Sequence, residues 1–268
     1  MTKGWFSKGT DRQDMMHAFD RVCEISALLD EDQFELFSIL LENYTCIEYD
    51  YYVPGMQNAL AKMTPSPQDD HIYRVCPILS PKDQDKSKSG HHLVYTFRHV
   101  TWKRSTKFSK FPIQDYISVG KLKKSDKPTS PYTTIFIDDF IGSGGTVEKF
   151  LNDYGKDNKS PLETIVFLSI AAMEHGVTFI KSRGYDIFYD QVFLKGIRDC
   201  AEITDKTRAY ALMDKIEAMA KVSKNMKYGY EKSEGLISLI RTPNNTFPIF
   251  WLGESSDGTK WPAPFPRY

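Results

Sequence analysis

Apolar residues recur at helical spacing at the start of the chain. Met15, Met16, Phe19, Val22, Cys23, Ile25 and Leu29 form one amphipathic face. Asp30 with Gln33 three residues on reads as a capping box, and Phe34, Phe37, Leu40, Leu41 and Tyr44 continue a second helix. The period then changes. Short β-type runs stand at 72–77, 133–137, 164–172 and 185–189, while 91–98 fits either a helix or a strand. Between the runs, Val147, Phe150 and Leu151 are helix-spaced, and Phe179 and Ile180 belong to a short helix closed by Gly184. A longer helix spans 205–221, capped by Thr204, and 236–240 is a further apolar strand.

Strand, helix and strand at these lengths imply right-handed parallel crossovers. The pattern therefore predicts an α/β fold, a doubly wound, mostly parallel sheet, with its ligand at the carboxyl ends of the strands. Residues 1–65 read as a helical N-terminal lobe and residues 66–268 as the α/β domain. The ending, Trp261-Pro-Ala-Pro-Phe-Pro-Arg-Tyr268, is too rich in large apolar residues for a free tail and is expected to dock on the body.

Chemistry concentrates in Thr133-Thr-Ile-Phe-Ile-Asp-Asp-Phe-Ile-Gly-Ser-Gly-Gly-Thr146. A buried strand delivers two carboxylates, Asp138 and Asp139, into a glycine-rich turn, Gly142, Ser143, Gly144, Gly145 and Thr146, and a helix begins at once. Glycines let backbone N–H groups approach a ligand closely. The following helix start adds unpaired N–H groups and the positive end of its dipole, so turn and helix together suit a phosphate. The carboxylates suit sugar hydroxyls, or a divalent cation held through oxygen. A plain strand–turn–helix corner with an Asp cap is the alternative. Neither Gly-x-x-x-x-Gly-Lys-Ser/Thr nor Gly-x-Gly-x-x-Gly occurs here.

At these residues the chain resembles the type I phosphoribosyltransferase family, whose signature is an apolar strand, an acidic pair, two apolar residues and a Ser/Thr-Gly-x-Thr turn. Ile135-Phe136-Ile137, Asp138-Asp139, Phe140-Ile141 and Ser143-Gly144-Gly145-Thr146 supply these parts, with departures at Phe140 and Gly142. The resemblance implies a phosphoribosyltransferase-like fold that binds phosphoribosyl pyrophosphate or a related nucleotide. The acidic pair would face the ribose hydroxyls, the turn would hold the 5-phosphate, and magnesium (Mg2+) would act as cofactor, reached by Asp138 and Asp139 through ribose or water. It also implies a loop on pyrophosphate after an early strand, where Lys86, Lys88, Ser89 and Gly90 stand. A mobile basic loop before the signature is implied too, where Lys121, Lys123 and Lys124 stand. A C-terminal hood for the acceptor would include the turn carrying Asn244 and Asn245. Over most of its length the chain further resembles a divergent phosphoribosyltransferase-like group of bacterial conflict and antiphage loci.

Between Arg98 and Lys127 positive residues outnumber acidic ones, so a nucleic acid competes with pyrophosphate as the partner of that segment. Overall charge does not favour either, with 35 Lys plus Arg against 35 Asp plus Glu. The apolar fraction of 41% includes no run near the roughly 18 residues of a membrane helix. Four cysteines lack C-x-x-C spacing, which suits a reducing cytoplasm. The reading thus expects a cytoplasmic protein with no membrane partner, and leaves a defence partner protein and a homodimer open. The competing functions are a ligand sensor without transfer chemistry and a nucleic-acid effector that uses the basic segment.

Overall fold

The computed structural model describes residues 12–79, 89–155 and 160–267. Helices α1 (Arg12–Leu28) and α2 (Glu31–Glu42) lead into β1 (Thr45–Cys46), α3 (Tyr52–Ala61) and β2 (Ile72–Pro77). Helix α4 (Ser89–Thr96) continues as a π-helical stretch, Phe97–Trp102, followed by β3 (Ile113–Asp115) and α5 (Val119–Lys123). Then come β4 (Tyr132–Ile141), α6 (Gly145–Gly155), β5 (Glu163–Met173), α7 (Glu174–Ser182), β6 (Asp186–Phe193), α8 (Lys206–Met219) and β7 (Ile237–Ser238).

The chain forms two compact units, residues 50–192 and residues 1–49 with 193–268. The boundary expected at 65 falls inside the first of these, after α3. The helical front of the chain shares its core with the C-terminal segment because both carry apolar faces that neither can bury alone. Phe37, Leu40 and Leu41 of α2 pack with Met213 and Ile216 of α8, Phe250 and Trp261. The capping box at the start of α2 forms as expected: Asp30 accepts from Gln33 N–H at 2.9 Å, and the Gln33 side chain accepts from Asp30 N–H at 3.2 Å. Helix α8 is capped one residue later than expected, by Asp205 accepting from Arg208 N–H, in place of Thr204. The terminal segment docks: Trp261 Nε1 donates to Ile249 O at 2.9 Å, and Phe265 stacks on Tyr44 with ring centroids 4.4 Å apart.

Residues 50–192 build a five-stranded sheet of order β3-β2-β4-β5-β6, in which β2 pairs in parallel with β3 and β4, and β4 with β5. One face carries Cys76, Phe136, Ile165 and Phe167 under α5, α6 and α7. Phe136 meets Phe150 of α6 edge-on at 4.5 Å. The other face meets α3, where a Cβ on Gly55 would lie 2.8 Å from the Ile170 side chain, so glycine sets how closely the helix approaches β5. Strand β2 pairs with β4 as far as Pro77 opposite Ile137, while β4 and β5 stay paired to Ile141 opposite Ala172. The carboxyl end of β4 thus runs on past that of β2. Among the described residues, no helix is long and apolar enough to cross a membrane.

The segment 98–127 is folded structure. Phe97, Trp102, Phe108 and Phe111 are buried, and Trp102 Nε1 donates to Phe111 O at 3.1 Å. Tyr73 of β2 lies within 4.9–5.7 Å of the Trp102, Phe108 and Phe111 rings. Four buried aromatics offset the ordering entropy that a charge count alone suggests the segment could not meet. They hold β3 at the sheet edge.

Candidate functional site

Asp138 and Asp139 stand half-buried on the part of β4 that outruns β2. The two carboxylates lie side by side, close enough to share a hydrogen bond, and Asp139 is turned toward α3. Asp138 Oδ1 accepts the Asp139 N–H at 3.0 Å, and Asp139 Oδ2 accepts the Tyr52 hydroxyl of α3 at 3.1 Å. Burial, and then the neighbouring Asp139 charge, push the Asp138 carboxyl well above the usual range. Burial raises Asp139 too, against the opposing effect of donors that include Asp138 and Tyr52. Among the described residues, no cation is one of the main influences on either carboxyl. Sugar hydroxyls can donate to the pair, and it fits a cation reached through ligand oxygens or water. No group of three or more His, Cys, Asp and Glu gathers as a metal cage among the described residues.

The turn that follows is held by glycine geometry. Gly144 has φ +90°, and a Cβ there would strike the Phe179 ring of α7. Its carbonyl accepts Glu148 N–H at 2.8 Å, which starts α6. Ser143 Oγ accepts Gly145 N–H at 3.4 Å, Thr146 is exposed, and Gly142 and Gly145 are half-buried. On the far side, Gly176 in the first turn of α7 lets the Gly142 carbonyl approach so closely that any Cβ would overlap it. The sequence therefore brings the acidic pair, the turn and the first N–H groups of α6 into one place, as expected. It gave no direct sign of Tyr52, 87 residues from Asp139. A glycine at a helix start just after an apolar strand was the one available signal for Gly176.

Among the other expected site residues, Lys123 is engaged away from the turn. Lys123 Nζ donates to the Asp153 carbonyl at 2.6 Å and its carboxylate at 3.1 Å, near the carboxyl end of α6. That is eight residues, roughly 12 Å of helix, beyond the turn. Arg74, in the middle of β2, donates to Leu122 O and Ser125 Oγ, so Lys121 and Lys124 flank residues tied to the body of β2. Elsewhere in the basic segment, Arg98 pairs with Asp115, Lys110 with Asp69, and Lys107 donates to Ala61 O. Ser89 and Gly90 open α4, and a Cβ on Gly90 would lie 2.9 Å from Pro77, so this helix starts beside the end of β2. Lys86 and Lys88 lie outside the described residues. In the other unit, Asn245 is buried and its amide donates to Ser233 Oγ at 2.9 Å, while the Asn244 carbonyl accepts Tyr230 N–H at 2.8 Å. Both asparagines stitch the 228–235 segment, where Tyr228, Glu231, Lys232 and Glu234 all have positive φ.

A parallel sheet that hands an acidic strand end to a glycine turn and a helix start defines a phosphoribosyltransferase-type α/β protein. The PRTase-CE family matches residues 5–267, and the chain belongs to that family. No curated protein matches it. Among solved structures, the AQ2163 protein from Aquifex aeolicus is similar at 12% identity and a TM-score of 0.33, over 66% of this chain and 84% of that one. A likeness of that size carries no argument.

Proposed function

We propose that this phosphoribosyltransferase-like protein binds phosphoribosyl pyrophosphate, or a nucleotide with the same ribose 5-phosphate end, and breaks the bond at C1. The observation that carries the reading is the continuity of Asp138 and Asp139 with the Gly144 turn and the start of α6. The turn and helix N–H groups take the 5-phosphate, and the carboxylates accept the ribose hydroxyls. The C1–oxygen bond breaks with its electron pair leaving on pyrophosphate. The acceptor's lone pair then forms the new bond at C1, and its proton passes to solvent. The acid pair stabilises positive charge on the sugar, and most of the rate comes from positioning and electrostatics. Bound Mg2+ would supply charge neutralisation for the pyrophosphate. The resemblance to conflict-locus proteins supports a role in antiphage defence.

Phosphorus NMR of phosphoribosyl pyrophosphate mixed with protein and Mg2+ tests this. Pyrophosphate release by wild type, abolished in Asp138→Asn/Asp139→Asn, is the expected result. Binding without release would make the protein a sensor. Neither binding nor release would refute the reading.

A further inference from the structure

Helix α3 lies in the part of the sequence that offers no motif, yet it supplies a hydroxyl to a carboxylate of the acidic pair, where Ser169 of β5 reaches only the Asp139 backbone carbonyl. Tyr52 is 3% exposed and its hydroxyl donates a hydrogen bond to Asp139 Oδ2. The helix that carries it is pinned at three points. Tyr51 donates to Asp190 Oδ2 of β6 at 2.7 Å. Lys62, just past the last turn, donates to the carbonyls of Tyr189 and Asp190 at 2.5 and 3.1 Å. Between them Gly55 sits against Ile170 of β5. A helix fastened at both ends and seated by a glycine leaves the Tyr52 hydroxyl little freedom. A carboxylate at a strand end otherwise turns freely about its terminal bond. Asp138 accepts the Asp139 N–H and also shares a hydrogen bond with the Asp139 carboxylate, so fixing Asp139 steadies both.

We propose that Tyr52 is a positioning residue for the sugar side of the site: by occupying Asp139 Oδ2 it fixes the carboxylate plane, so that the other oxygen meets a ribose hydroxyl. The inference rests on the proposed ribose 5-phosphate ligand. It makes α3 part of the binding site and divides the work. The glycine turn takes the phosphate unaided, and the Tyr52–Asp139 pair adds the selectivity for the sugar.

Calorimetric titration of wild type and Tyr52→Phe, each with ribose 5-phosphate and with inorganic phosphate, tests it. Phe keeps the ring and its packing and removes only the donor. Wild type should prefer ribose 5-phosphate, and the variant should lose about tenfold in affinity for it, the effect of one bond to a charged group. Affinity for inorganic phosphate should not change. A merely structural Tyr52 would weaken both ligands together or neither, and either outcome overturns the proposal. A wild type with no preference for the sugar would instead remove the ribose reading itself, and this inference with it.

Discussion

Single residues carry charge into places where charge is costly. Glu217 of α8 is fully buried; one oxygen accepts Tyr228 N–H at 2.8 Å and the other has no partner. Burial pushes its carboxyl from the ordinary 4.5 up to about 7, with Lys227 and the Tyr228 N–H opposing and Asp214 adding to the shift. The folded protein therefore binds a proton here more tightly than the unfolded chain does. The stability tied to protonated Glu217 is complete below the unfolded value and is lost as pH rises through about 7. Glu217→Gln never ionises, so its stability relative to wild type should grow between pH 4.5 and 7 and then level off. The gain is on the order of 3 kcal/mol at most. Melting curves of both proteins across that range check it; a difference that does not vary with pH would contradict the assignment.

At the scale of elements, the structure turns the basic segment from a loop into the π-helical stretch, β3 and α5, with Arg98, Lys110 and Lys123 already paired. Exposed charges farther apart than about 10 Å are largely screened at ordinary salt. Lys121→Glu with Lys124→Glu is accordingly expected to change affinity for phosphoribosyl pyrophosphate by less than about twofold, read by calorimetry at physiological salt. A loss of an order of magnitude would show that these lysines do close on pyrophosphate. The apolar runs made β2, β4 and β5 legible, because a strand buried on both faces is a continuous apolar stretch, and the edge strand β6 showed through Ile187-Phe-Tyr189. Strand β3 was not legible, since Ile113-Gln-Asp115 is short and polar and is defined only by pairing with Tyr73, Arg74 and Val75. Its anchors, Trp102, Phe108 and Phe111, were in plain view but stood among lysines, and charge dominated the reading.

For the whole molecule, local sequence was enough to find the acidic pair and the turn, because strand, carboxylates, glycines and helix start are consecutive. What local pattern could not give is what arrives from a distance: Tyr52 on Asp139, Gly176 under the Gly142 carbonyl, and the front helices joined in one unit with the C-terminal segment. All three depend on packing between parts of the chain far apart in sequence. The family match and the sheet agree with the phosphoribosyltransferase-like reading. Its central claim is that Asp138, Asp139 and the adjoining turn together bind the ribose 5-phosphate end of the ligand. Titration of phosphoribosyl pyrophosphate with Mg2+ into wild type and into Asp138→Asn/Asp139→Asn measures this most directly. The account predicts saturable one-site binding by wild type and a loss of at least about a hundredfold in the folded variant, as two hydrogen-bonded carboxylates are removed. Equal affinity in the two proteins would contradict it.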